Sequence, residues 1–472
     1  MKRCLILLLT LLLLLPTLAA CNGANDTTPA LFSEGLLAAR QNGKYGFLNT
    51  RGEFVIEPQY EDAADFSENG LAAVKSGGKW GYIDKKGNTV INFSYDRALS
   101  FQNAPLAPVS LGGKWGYIDQ KGNTVLELTY DIAYGFGEGA LARVTQNGKH
   151  GYINREGELV IDLLYDSASE FTKNGYARVG IRTGGSEEAP EYRYGCINTE
   201  GTLVAECRYE TLIEPDKAGY LRVKENGKWG CLTADGKTPV ASEFDILYAY
   251  AENGLALAQK ENRYGFIDRE GNTVIPFDYD NAKSFVSSLA AVKKDGKWGY
   301  VDQKGNTVIA HSFTNVSSFE ENGIAYAVRD NTCFYINQKG EPIGDETFAL
   351  VSPFEGEKLA YVAKDGKYGY VNQKGEWVID PIFEKAGSFH NGIAPVKSGG
   401  RYGFINEKGK LVIETRYQNC TLPFADGYII VMINEKYGII DENGKLIVAA
   451  NLDLIPAFVE RYGSGGDFTP IA

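Results

Sequence analysis

Four sets of side chains in this 472-residue chain could carry chemistry. They are a recurrent Asp or Asn, five cysteines between positions 196 and 420, three histidines, and lysines that precede tryptophan. The Asx residues are Asn49, Asp84, Asp119, Asn154, Asn198, Asp268, Asp302, Asn337, Asn372, Asn406 and Asp441, each three residues before a Gly. Repeated acidic turns hold calcium in some β-helices. Carboxylate and amide alternate here, which suits an Asx that accepts a backbone N–H to close its own turn. The cysteines show no Cys-x-x-Cys spacing, and three histidines leave few members for a metal or acid–base site. No Ser or Cys stands in a nucleophile elbow, and no Gly-rich phosphate loop opens a helix. Carboxylates are numerous enough for a glycosidase-like pair, but nearly all recur at turns and have a structural use there. No catalytic residue, metal site or cofactor is expected, and the chain reads as a non-enzyme. A net charge of −12 argues against nucleic-acid binding, which needs cations to replace phosphate counterions.

Stepping along the chain places these residues in a repeat. Aligned on Gly81 of Gly78-Lys79-Trp80-Gly81-Tyr82-Ile83-Asp84, the copies fall at Gly46, Gly81, Gly116, Gly151, Gly195, Gly230, Gly265, Gly299, Phe334, Gly369, Gly403 and Gly438. The steps are 34 or 35 residues except one of 44. In this the chain resembles the bacterial WG-repeat, or KWG-repeat, family over roughly residues 31–450. The ninth copy departs most, with Cys333-Phe334 in place of the motif. On the repeat, Cys196 and Cys231 stand where Tyr82 stands, and Cys207, Cys333 and Cys420 also replace core residues. That suits small buried hydrophobes, with a Cys196–Cys231 disulfide left open. His150 takes a tryptophan's place, His311 falls beside Phe313, and His390 precedes an Asn-Gly turn.

Each copy reads as strands. Leu71-Ala72-Ala73-Val74 and its equivalents lead into Gly-Gly, Asn-Gly or Asp-Gly pairs that suit two-residue hairpin turns. The next strand sets Trp80 and Tyr82 on one face, with Gly81 leaving room for a close neighbour. A third strand follows from Thr89, then a compact turn carrying Tyr95, Ala98 and Phe101. Three strands cannot bury their apolar face alone, so the copies must stack. The expected fold is all-β: about twelve three-stranded repeats of ~35 residues in an open β-solenoid or superhelix. A β-propeller-like array is the alternative; twelve copies exceed the usual four to eight blades, which favours the open form. Trp229 holds a repeated core register and Trp377 does not, so Trp377 is expected to be exposed.

Residues 1–20 read as a signal peptide: Lys2-Arg3, then near-continuous leucine, then Leu18-Ala19-Ala20-Cys21. The apolar run is short of the roughly twenty residues that a bilayer requires. Leu-Ala-Ala-Cys resembles the bacterial lipobox, which implies lipidation at Cys21 and a membrane-anchored, extracytoplasmic protein. Cleavage removes two cations and leaves 46 against 60 anions, a balance of −14. Residues 21–30 form a polar tether, 31–455 the WG array, and 456–472 a C-terminal tail.

Two features are candidate contacts. Lys79, Lys114, Lys228 and Lys297 share one register, and stacking would align them in a basic ladder able to meet an anionic polymer. The competing role is a solvated strand end that discourages edge pairing. The 44-residue step comes from an inserted loop at Gly184, Gly185, Ser186, Glu187 and Glu188, a plausible contact site on a regular scaffold. The expected function is a non-catalytic, membrane-anchored binding scaffold for a protein or a cell-envelope polymer. Gly-Lys-Trp-Gly-Tyr is similar to the hairpins of cell-wall choline-binding repeats, which brings wall glycan into that class. An envelope enzyme or enzyme accessory, and a purely structural spacer, are the alternatives.

Overall fold

A computed structural model describes residues 30–456 apart from 103, 138 and 217. Residues 1–29, with Cys21 and the expected signal peptide and tether, and residues 457–472, in the expected tail, lie outside the described residues.

The second repeat shows how the pattern folds. Strands Leu71–Ser76, Lys79–Asp84 and Thr89–Tyr95 pair antiparallel in sequence order. Gly77 and Gly78 take the positive φ that the tight turn between the first two requires. The third strand bulges beside the motif glycine: Trp80 pairs with Tyr95 but Tyr82 pairs with Ile91. A Cβ on Gly81 would lie 2.6 Å from the Ile91 carbonyl oxygen, which is why the position is glycine. The ninth repeat carries Phe334 there. Its third strand takes up one residue more, Tyr335 pairing with Ile343 while Cys333 pairs with Phe348, and Gly344 turns to φ 75.

Every sheet but the first gains a fourth strand that the sequence reading treats as a turn. A single residue, Asp96, separates Thr89–Tyr95 from a two-residue strand, Arg97–Ala98, that pairs with the first strand of the next sheet. Sheets are numbered here by the repeat that gives their three main strands; the short strand comes from the tail of the repeat before.

Both faces of each sheet are buried. Tyr82, Ile91 and Phe101 pack with Ala107, Val109 and Ile118 of the next sheet, while Ala72, Val74 and Ile83 pack back on Phe47 and Ile56. The buried tyrosines keep a hydrogen bond: Tyr82 Oη donates to the Leu99 carbonyl at 2.7 Å, as Tyr117 does to Tyr134 and Tyr335 to Ser352. Cys196 and Cys231 take this place in the fifth and sixth repeats as free thiols, so no disulfide joins them. Arg178 and Arg222 stand opposite them where the second repeat has Ala73. Burial pushes both thiols up to about 12. Trp377 is half-buried rather than exposed, edge-on against Phe348 at 5.5 Å. Trp298 is the most enclosed motif tryptophan, at 7% exposure.

The array closes on itself. Leu31, Leu37, Ala39 and Leu48 share one core with Ile430, Ile439, Val448 and Leu452. Arg40 N–H donates to the Leu454 carbonyl and Asp453 N–H to the Arg40 carbonyl, so the chain's end supplies the short strand that the first sheet lacks. Asp426 accepts the Leu31 and Phe32 N–H groups at 3.0 and 3.1 Å. The structure therefore takes the propeller-like alternative, a ring of twelve sheets, and the preference for an open superhelix is corrected. That preference rested on the usual number of blades, which does not bear on whether the two ends can pair.

Candidate functional site

The repeated Asx behaves as a turn closer. Asp84 Oδ1 accepts the Lys86 and Asn88 N–H groups at 2.9 and 2.8 Å, and Oδ2 accepts the Asn88 amide; Asp119 and Asp302 repeat the pattern. The histidines are packing groups. His150 Nδ1 lies 2.9 Å from Thr145 Oγ1, His311 stacks on Tyr279, and burial lowers the pKa of both. His390 forms a backbone bridge with Ile393.

The lysine register meets carboxylates seventeen residues on. Lys79 pairs with Asp96 at 2.5 Å, Lys114 with Asp131 at 2.6 Å, and Lys228 with Asp245. Lys297 faces the exception, since Thr314 occupies the carboxylate's place. Each of these aspartates sits at the crossing between sheets and also accepts an N–H from the next sheet's hairpin turn: Gly112 for Asp96, Asn147 for Asp131, Glu261 for Asp245. Lys436, Asp453 and the Gly43 N–H form the same clasp across the closure. Sequence reading missed these partners, although Lys or Arg followed by Asp at a spacing of seventeen recurs along the chain. The Lys79, Lys114 and Lys228 ammonium groups hold Asp96, Asp131 and Asp245 below the usual carboxylate range, with the turn amides adding to it. A carboxylate depressed in the folded state stabilises it fully above the unfolded value of about 3.9, and that contribution fades as pH falls through the lower folded value. The urea midpoint of the parent should therefore exceed that of an Asp96→Asn/Asp131→Asn/Asp245→Asn variant at pH 6, with the gap closing in strong acid. A gap that does not change with pH would remove the charge from this account.

The inserted loop extends one hairpin, with strands Tyr176–Gly185 and Pro190–Asn198. Arg182 holds its tip by donating to the carbonyls of Gly184, Gly185 and Ser186. Glu187 and Glu188 are exposed there, with no ion pair to either among the described residues.

Sequence reasoning also missed a cleft of about 620 Å³ that crosses the second, third and fourth sheets at their short strands. Trp80 and Trp115 line it, half-buried, with Leu99 and Ile132 each 41% exposed. Tyr134 completes the apolar part, its ring covered by the Arg143 guanidinium 3.9 Å from the centroid. Lys75, Arg97, Asp62 and Asp96 supply the polar part. Asp96 is engaged by its clasp, and Asp62 Oδ1 accepts the Ala63 N–H. Neither Lys75 nor Arg97 forms an ion pair among the described residues. Repeat register alone could have pointed here, because Arg97, Leu99, Ile132 and Tyr134 replace one another in adjacent copies.

The sequence signature described as a WG-containing repeat matches residues 45–80, 80–115, 115–149, 151–181, 194–229, 264–298, 298–333, 368–402, 402–437 and 437–460. The chain belongs to the WG-containing repeat family. The signature passes over the sixth repeat, where Pro239 enters the third-strand region, and the ninth WG repeat, where Phe334 displaces the glycine. Among curated proteins, none matches the chain. Solved structures similar to it include a eukaryotic initiation factor, 12% identical over 67% of this chain and 96% of that one, with TM-score 0.32. Another is Hsv2p of Kluyveromyces lactis, 8% identical over 50% of this chain and 94% of that one, with TM-score 0.29.

Proposed function

We propose that this WG-repeat ring is a non-catalytic scaffold, lipid-anchored through Cys21 on the extracytoplasmic side of a membrane, that docks a protein partner in the Trp80–Trp115 cleft. The observation that carries the reading is the coincidence in one cleft of two half-buried indoles with the exposed Leu99 and Ile132. Concave apolar surface with a few polar groups is the usual form of a binding site. An anionic wall polymer has less to meet at the lysine ladder, since Lys79, Lys114 and Lys228 already face carboxylates. The Cys21 anchor rests on the lipobox-like Leu18-Ala19-Ala20-Cys21 and the short leucine run before it.

A peptide-display library and a glycan array, each probed with the full chain in detergent, test the docking reading. Enriched peptides should bind a Leu99→Glu/Ile132→Glu variant at least about tenfold more weakly, as expected when charge enters an apolar contact. Glycan binding that the double variant retains, with no peptide enriched, would overturn it.

A further inference from the structure

Two of the three short strands in the cleft, those of the third and fourth sheets, lack an edge cap that several others in the ring carry. In an antiparallel edge strand, alternate residues turn their N–H and C=O away from the partner strand. In the second sheet, Glu61 and Ala64 donate inward, to the carbonyls of Lys75 and Ala73, which leaves Ala63 facing out. Its outward N–H is closed by its own neighbour, Asp62 Oδ1, at 2.9 Å. Asn281 closes Ala282 in this way at 2.8 Å, Asn315 closes Val316 at 2.9 Å, and Asn419 closes Cys420 at 3.0 Å. An unpaired strand edge is a template for another chain, and these side chains block it. The third and fourth sheets have the same inward pattern, with Asp96 donating to Ser110 and Leu99 to Pro108, and Asp131 to Thr145 and Tyr134 to Arg143. The capping position there holds Arg97 and Ile132, which have no acceptor to offer. Among the described residues, no side chain caps the outward N–H of Ala98 or Ala133, where Trp80, Trp115, Leu99 and Ile132 gather.

We propose that an extended polypeptide segment bearing a carboxylate adds to the open edge at Ala98. The inference rests on the docking reading and names the kind of partner that it takes. The segment exchanges N–H and C=O with Ala98, as strand addition does elsewhere. Its apolar side chains lie on Trp80, Trp115, Leu99 and Ile132. Its carboxylate meets Arg97, with Lys75 alongside. Charge complementarity sets that last choice. On a chain of net charge −12, this cleft holds two cations without an ion pair among the described residues, Lys75 and Arg97, against one such carboxylate, Asp62, whose Oδ1 is taken up by the Ala63 N–H; Asp96 is paired with Lys79.

The test uses the full chain in detergent and a blocked peptide, Val-Thr-Val-Glu-Val-Thr-Val, followed by fluorescence anisotropy. Arg97→Asn installs the cap seen at Asn281 and Asn315, whereas Arg97→Gln removes the same charge and leaves the edge open. The parent should bind, and Arg97→Asn should weaken binding at least about tenfold more than Arg97→Gln does. N-methylation of the peptide's central amide should cost about as much on the unaltered protein, which makes the result independent of any folding defect. Equal binding by the two Arg97 variants, an N-methyl peptide that binds as well as its parent, or no binding of the peptide would each overturn strand addition. Display-selected peptides that lose affinity on Leu99→Glu/Ile132→Glu would then still uphold docking in the cleft, so the two failures are distinguishable.

Discussion

Truncation of Trp298 to Ala should lower stability by about 3–5 kcal/mol, the range for a large aromatic lost from a packed core. Trp298 pairs across the sheet with Phe313 and shares a core with Tyr300, Val316, Phe319 and Phe334, so its indole joins the eighth sheet to the ninth. Lys283 Nζ stands 5.8 Å from its ring centroid and is itself held by the Val316 carbonyl. Removal would leave a cavity between two sheets that can close only if the ring distorts. Trp229 and Trp377 are both half-buried on their cores, and their alanine variants should shift the urea midpoint by similar, smaller amounts. Far-UV circular dichroism in urea measures all three. Equal shifts for the three variants would show that the eighth-to-ninth interface tolerates the loss as well as any other.

Cys21→Ser should move the protein from the membrane fraction to the soluble or secreted one. The leucine run before Cys21 is short of a bilayer span, so the acyl chains would carry the attachment. No helix of the described residues is long and apolar enough to cross a membrane. Fractionation with intact-mass measurement decides the matter. Full membrane retention of the variant with its first twenty residues still attached would overturn the lipid anchor.

The clasp aspartates and the asparagine caps give similar repeats different tasks. An Asp at the crossing ties a cation of its own repeat to the turn of the next, which fixes the step between sheets. An Asx at the short strand closes an edge. Both are short side chains bonding nearby N–H groups, and one position in the repeat separates them.

Much of this was legible in the sequence, for a physical reason. A strand's period of two, a tight turn's demand for positive φ and an Asx closing its own turn are local matters, written within a few residues. Hence the strands around Trp80, the turn at Gly77-Gly78 and the role of Asp84 follow from residue type and spacing. Twelve repetitions of one local solution then require stacking, because no single copy can bury both faces. What the tertiary structure decided depends on residues brought together from a distance. Whether the array closes rests on Leu31 meeting Ile439 and Arg40 meeting Leu454, and no local rule sets that angle. Whether Lys79 is a free charge rests on Asp96, seventeen residues on and across a strand bend. The exposure of Trp377 rests on Phe348 of the neighbouring sheet. The cleft exists only where three short strands lie side by side, since each repeat supplies a part of it and the ring supplies the arrangement.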